Sequence, residues 1–252
     1  MGKVVSNVPD NHYSSLAEYE EWYWWHISRV NQTLKIIRSH YKDHEISSLN
    51  VVDYGCGTGG FLALIKKRLG LTNAIGVDVS PVAINHASKY GSNYFLCSKN
   101  DCEYLKNKDL ILCMDVLEHI ENPEKYLKNF MENLAPKGRL LLSVPAMKCL
   151  FSDWDKILGH YKRYTKKDFQ FLSQELGFKI IFLEYSFFSL FPIALAKRVF
   201  LKAKFTSDNC EFPKVSKRLN KILLKINQLE IYLSGFIKMP FGTTLYCLLE
   251  KT

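Results

Sequence analysis

Val51-Val52-Asp53-Tyr54-Gly55-Cys56-Gly57-Thr58-Gly59-Gly60 is the stretch on which the fold turns. A short β-branched run ends in an acid, glycines recur at alternate positions, and residues 61–69 continue as an apolar helical stretch. The pattern is a strand, a glycine loop and a helix. Glycine has no Cβ and tolerates positive φ, so such a loop lets a ligand approach the backbone closely. A second apolar strand, Ala74-Ile75-Gly76-Val77-Asp78, also ends in an acid. An acid at that point can accept hydrogen bonds from a ribose diol. Together these features point to an adenosine-containing small molecule.

The glycines fit two templates. Gly55-x-Gly57-x-x-Gly60 satisfies the dinucleotide fingerprint. Asp53-x-Gly55-x-Gly57-x-Gly59 satisfies the loop of class I S-adenosylmethionine-dependent methyltransferases. Later segments decide between them. A third short strand, 93–97, leads to Asn100-Asp101, where a side chain can read an adenine amine. The apolar run from Asp109 ends at Asp115-Val116-Leu117-Glu118-His119. Asn122 and Pro123 then read as N-cap and first residue of a helix, and Ala135-Pro136-Lys137-Gly138 precedes another strand. This ordered set resembles the class I methyltransferase family over residues 46–187, with a final strand near 242–251; dehydrogenases usually lack the last two elements.

The resemblance implies an α/β fold with a Rossmann-like, seven-stranded, mostly parallel sheet and an antiparallel last strand. Strands are expected near 50–54, 73–78, 93–97, 109–114, 139–145, 178–187 and 242–250, the last two closing the sheet as an antiparallel edge. The alternation of the first five with helices independently implies parallel pairing. The expected organisation is a helical N-terminal leader (1–45), a cofactor-binding core (46–187), a basic helical insertion (188–240) and the last core strand (241–252). The leader, helical over 14–40 and rich in Trp and Tyr, partly covers the cofactor in this family. Most of its aromatics read as core, with Trp25, His26 and Arg29 as candidate pocket residues. Cofactor contacts are expected from Asp53, Gly55, Cys56, Gly57, Gly59, Asp78, Val79, Asn100, Asp101 and Met114, with S-adenosylmethionine as methyl donor.

Methyl transfer from a sulfonium is an in-line displacement. The protein must align the acceptor, exclude water and remove a proton when the acceptor is a hydroxyl. Two histidines stand where a base belongs: His119, after the fourth strand, and His160, in the run from Trp154 to Tyr164. That run resembles the Asp-x-x-x-Gly-His-x-Arg-Tyr segment of methyltransferases encoded with glycosyltransferases of surface glycans and lipid-linked sugars. Asp155, Arg163 and Tyr164 are therefore expected to bind acceptor. The same residues also fit a structural network in which Asp155 pairs with Arg163. Asp115-x-x-Glu118-His119 resembles the divalent-metal site of quinone-biosynthesis O-methyltransferases, but metal-free relatives share it, and no metal is expected.

Charge sharpens the acceptor class. Residues 1–147 carry 16 basic and 16 acidic side chains, whereas residues 148–252 carry 18 and 9, the whole of the net +9. Nine basic and two acidic residues lie between Lys197 and Lys225. Such a concentration points to an anionic partner. From Val215, Leu219, Ile222, Ile226, Leu229, Leu233 and Phe236 recur at steps of three and four, an amphipathic helix with Lys217, Arg218, Lys221 and Lys225 on its other faces. It reads either as a helical cap on the domain or as an element lying on an anionic membrane. The Asn/Asp-Pro-Pro-aromatic segment of adenine and cytosine methylation is replaced by Met114-Asp115-Val116-Leu117, which argues against nucleic acid. Seven scattered cysteines without metal-like spacing, and a polar stretch over 1–12, suggest the cytoplasm, with peripheral contact at the inner membrane face. The expected function is O-methylation of a small molecule or a lipid- or phosphate-linked saccharide. A quinone- or phenol-type O-methyltransferase and a non-catalytic cofactor-binding scaffold are the alternatives.

Overall fold

The computed structural model describes residues 8–98, 103–200 and 215–251, with 197–200 as helix backbone alone. Asn100, Asp101 and much of the basic run from Lys197 lie outside the described residues. The strands are β1 (Asn50–Tyr54), β2 (Asn73–Asp78), β3 (Tyr94–Leu96), β4 (Lys108–Met114), β5 (Leu134–Pro145), β6 (Lys179–Ser186) and β7 (Thr244–Glu250). They form one sheet in the order β3-β2-β1-β4-β5-β7-β6. Neighbours among the first five pair in parallel. β7 is antiparallel to both β5 and β6. Only β7 is therefore reversed, β6 running with the first five strands, so the last two strands close the sheet as the expected antiparallel edge. Chain order turns back between β1 and β4, and in open α/β sheets ligands bind at the carboxyl ends of the strands at such a switch point.

The central strands are apolar on both faces, as parallel strands covered by helices require. Val51, Val52, Leu110, Ile111, Leu112, Leu140, Leu141 and Leu142 are all buried. Cys113 and Cys247 pack there as small hydrophobes. Helices α4 (Gly60–Leu69), α5 (Pro81–Ala87), α6 (Pro123–Asn133) and α8 (Lys166–Leu176) connect the strands, with a short α7 (Asp153–Ile157) after β5. Helix α8 starts with the expected capping box, Thr165 and Asp168 exchanging bonds, and stops at Gly177 in the left-handed region. Asn122 does stand before Pro123, but its side chain makes no capping bond.

The leader departs from a single helix. It comprises α1 (Asp10–Tyr19), α2 (Trp24–His40) and a short α3 (Asp43–Ile46). The break at 20–23 turns Glu20 inward, and its carboxylate accepts from Gly60 N–H (2.9 Å) and the Thr58 hydroxyl (2.5 Å). The insertion supplies α9 (Phe191–Phe200) and α10 (Lys217–Leu233), the latter packed on α2.

Candidate active site

A cavity of about 640 Å³ lies over the switch point. Its floor is the glycine loop between β1 and α4: Asp53, Gly55, Cys56, Gly57 and Thr58 line it, as do Asp78, Val79 and Met114 from neighbouring strand ends. Gly55 has φ +76°, and a Cβ there would lie 2.3 Å from Val116, so both conformation and space require glycine. Gly59 does not line the cavity; it is the left-handed residue that starts α4. Asp78 holds the loop, its two carboxylate oxygens accepting from Gly57 N–H (2.9 Å) and Ser80 N–H (2.8 Å).

Asp53 is buried, and its Oδ1 has no hydrogen-bond partner among the described residues. Burial, reinforced by the nearby Asp78 carboxylate and opposed by Arg29, pushes its pKa up to about 7. A buried orphan acceptor facing a cavity calls for a ligand donor or cation. The glycine cradle, the orphan acceptor and the acid of β2 thus fit an adenosyl amino acid in chemistry as well as in sequence.

The opposite wall carries the acid–base groups. Asp115 follows the last residue of β4 with φ +57°, an uncommon conformation for a non-glycine residue. It is held there by an ion pair with Arg29 and a hydrogen bond from Ser143 Oγ (3.1 Å). The Arg29 guanidinium also stacks 4.6 Å over the Trp25 ring. Both carboxylate oxygens of Glu118 are buried without a hydrogen-bond partner among the described residues. Burial first, then the Asp115 charge, raises its pKa well above the ordinary range, which favours its neutral form.

His119 and His160 both line the cavity, their ring centroids 4.7 Å apart and edge to face. Burial, followed by the neighbouring His160, lowers the pKa of His119 to about 3. His160 is oriented differently: its Nδ1 lies 3.0 Å from Asp155 Oδ1. Asp155 is fully buried and also accepts from Arg163 Nε (2.8 Å), Ser152 N–H (2.9 Å) and Ser152 Oγ (3.0 Å). Burial alone would raise its pKa, but the hydrogen bond from His160 and the charge and hydrogen bond of Arg163 more than offset this, leaving it at about 2.

The structure therefore gathers the expected site residues unequally. Asp53, Gly55, Cys56, Gly57, Asp78, Val79, Met114, His119, His160 and Arg163 share one cavity. Asp155 stands behind it, orienting His160 and Arg163. Tyr164 is fully buried and donates to the Leu117 carbonyl (3.1 Å), away from the cavity wall. Sequence reasoning did not single out Glu20 or Thr58, and weighed Asp115 and Glu118 only as metal ligands. An acid inside the aromatic leader was the signal for Glu20. Ligating atoms of Glu118, His119 and His160 lie within 4.8 Å of one another. Asp115, the remaining acid of that segment, is paired with Arg29.

A family model described as a methyltransferase domain matches residues 39–183, more than half of the chain. The chain is 32% identical over 121 residues to the ubiquinone biosynthesis O-methyltransferase of Rickettsia bellii, covering 46% of this chain and 49% of that protein. It is 32% identical over 151 residues to the mitochondrial ubiquinone biosynthesis O-methyltransferase of Schizosaccharomyces pombe, covering 53% of each. The matches span about half the length of these relatives. Among solved structures, the plantazolicin methyltransferase bound to S-adenosylhomocysteine superposes with a TM-score of 0.60 at 18% identity, over 96% of this chain and 90% of that one. Magnesium protoporphyrin IX methyltransferase from Synechocystis PCC 6803 does so with 0.53 at 14% identity, over 90% and 85%. These two likenesses concern the fold. With the glycine loop, the acid of β2 and the matched core in place, the chain belongs to the class I S-adenosylmethionine-dependent methyltransferase family.

Proposed function

We propose that this protein transfers a methyl group to a hydroxyl oxygen of a small molecule, and that the acceptor is lipid- or phosphate-linked. The observation that carries the reading is the single cavity joining the glycine loop to His119 and His160. S-adenosylmethionine, when bound, supplies an electrophilic methyl group. Asp53, Gly57 and Asp78 would hold it: Asp53 offers its free acceptor oxygen, and Asp78 a carboxylate already ordered by two backbone donors.

The remaining tasks fall to this chain's own side chains. His160 is the base that removes the acceptor proton. Asp155, bonded to Nδ1, keeps Nε2 as the accepting nitrogen. The half-buried His119, with its pKa at about 3, is a poor proton acceptor at neutral pH. It serves instead as a neutral wall beside the reacting hydroxyl. Glu118, in the neutral form that burial favours, can donate a hydrogen bond to an acceptor oxygen, and Arg163 offers a cation to an anionic group. Trp25, Phe61, Trp154 and Leu190 supply apolar walls that exclude water.

The curated relatives favour a specific second reading, a quinone- or phenol-type O-methylation. In that case the apolar walls receive the ring. Both readings are tested by one experiment. The protein is incubated with methyl-labelled S-adenosylmethionine and separate lipid and aqueous extracts of cells, and the labelled product is characterised. Label in an organic-extractable acceptor is expected. His160→Ala should lower the rate by ~10²–10⁴ without weakening S-adenosylhomocysteine in calorimetry. Cofactor binding with no label in any fraction would mean a non-catalytic scaffold.

A further inference from the structure

Helix α10 packs Leu223 and Leu224 partly against the cluster of Tyr23, Trp24 and Phe187, but turns most of its large apolar side chains outward. Its buried positions are polar: Asn220, Asn227 and Glu230. Its large apolar side chains Ile222, Ile226, Leu229 and Leu233 are exposed, and Phe236 and Ile237 just beyond its end extend the row, Phe236 being 74% exposed. The polar side chains fasten the helix. Asn220 accepts from Trp24 N–H (2.8 Å) and donates to the Trp22 carbonyl (3.1 Å). Glu230 accepts from Phe188 N–H (2.7 Å), Ser189 N–H (3.1 Å) and Ser189 Oγ (3.0 Å). Lys35 reaches the Ile231 carbonyl (2.5 Å) and Ser234 Oγ (2.8 Å). The apolar row is thus presented outward by a helix fixed through its other face. A continuous exposed row of this size marks an interaction surface.

Charge identifies the occupant. Lys217, Arg218, Lys221 and Lys225 fill the sector of α10 beside the apolar row, and Lys238 follows Ile237. All five are exposed. The only acid of the helix, Glu230, is turned inward. A second copy of this chain would set like charges against one another. An anionic lipid surface matches both features, its headgroups meeting the cations and its acyl boundary the apolar row. Among the described residues no helix is long and apolar enough to cross a membrane, so such contact would lie in the plane of the surface.

We propose that the outward face of α10 is a docking surface for anionic membranes. The inference deepens the lipid-linked reading and rests on it only for the acceptor's source. The same insertion reaches the cavity, since Leu190 and Ala194 line its wall and Glu230 ties α10 to the chain just before α9. A docked enzyme would carry its membrane face on the same insertion that supplies part of its pocket wall.

The test is co-sedimentation of the full chain with vesicles of phosphatidylcholine alone or mixed with phosphatidylglycerol, at low and high salt. Pelleting is expected only with the mixed vesicles, and salt should weaken it. The exposed-face variants Ile226→Ser/Leu229→Ser and Lys221→Glu/Lys225→Glu should each bind about tenfold or more weakly, with S-adenosylhomocysteine affinity unchanged. Equal, negligible pelleting on both vesicle types overturns the proposal. So does a dimer in sedimentation velocity that the serine variant dissolves while pelleting stays negligible. A chain that pellets but binds no S-adenosylhomocysteine would refute the methyl-transfer reading and leave the docking surface standing.

Discussion

Asp53 illustrates how one residue ties the site to pH. Its folded pKa is raised from 3.8 to about 7, so between these values the native chain holds a proton that the unfolded chain has released. The stability linked to this group is complete below about pH 4 and is lost as pH rises through 7. Asp53→Asn, which cannot ionise, should flatten that limb; denaturant unfolding at pH 5 and pH 8 should show the wild type losing of the order of 1–3 kcal/mol more than the variant. An equal loss in both proteins would place the ionisation elsewhere. The cofactor supplies the converse effect. A cationic ligand beside Asp53 favours its charged form, so S-adenosylmethionine should bind more tightly as pH rises from 6 to 8, with proton release in calorimetry. His160 and Asp155 show a different use of burial. There the carboxylate is kept ionised by two cationic or donating neighbours, and its bonds fix the positions of His160 and Arg163. Asp155→Asn should therefore lower the rate while leaving cofactor affinity in place.

At the scale of elements, much was legible. The glycine loop, the acid after β2 and the alternation of apolar strands with helices predict a parallel core, because these signals are local and repeat at fixed spacing. The Asp155–Arg163 pair was legible for the same reason, lying within one loop. Three features were not. The place of β7 between β5 and β6 depends on a pairing across the insertion. The Arg29–Asp115 ion pair joins the leader to β4, far apart in sequence. The direction of α10's apolar face was left open between a cap and an outward-lying element, because periodicity reports that a helix has an apolar face, not which way it points. The leader break has similar long-range origins: Glu20 leaves the helix to accept from Gly60 N–H and Thr58, and Lys89 Nζ stands 3.2 Å from its other oxygen. Glu20→Ala would leave a buried backbone donor unpaired at the start of α4. A lost hydrogen bond to a charged group costs ~1.5–3 kcal/mol, so a fall of that size in unfolding free energy is expected, together with weaker S-adenosylhomocysteine binding. An unchanged affinity would confine Glu20 to a packing role.

At the scale of the molecule, the cavity is closed by parts from both flanks of the core. His12, Tyr13, Leu16 and Glu20 come from the leader, and Leu190 and Ala194 from the insertion. The parallel core alone supplies the floor. A ligand that touches floor and walls binds the assembled state and not the unfolded chain, so its free energy adds to stability by mass action. S-adenosylhomocysteine at about 100 times its Kd should add ~2.7 kcal/mol, or roughly 5–10 °C in Tm for a chain of this size. Only Tyr13 of α1 is buried, and elements with few buried apolar contacts open more readily than central strands. The largest slowing of amide exchange on binding should therefore fall in α1 and the segment from Glu20 to Tyr23, with less change in β4 and β5, which are already protected at the sheet centre. Protection confined to the glycine loop, with α1 exchanging at its free rate, would show that the leader stands aside from the bound cofactor and that acceptor and solvent share the same entrance.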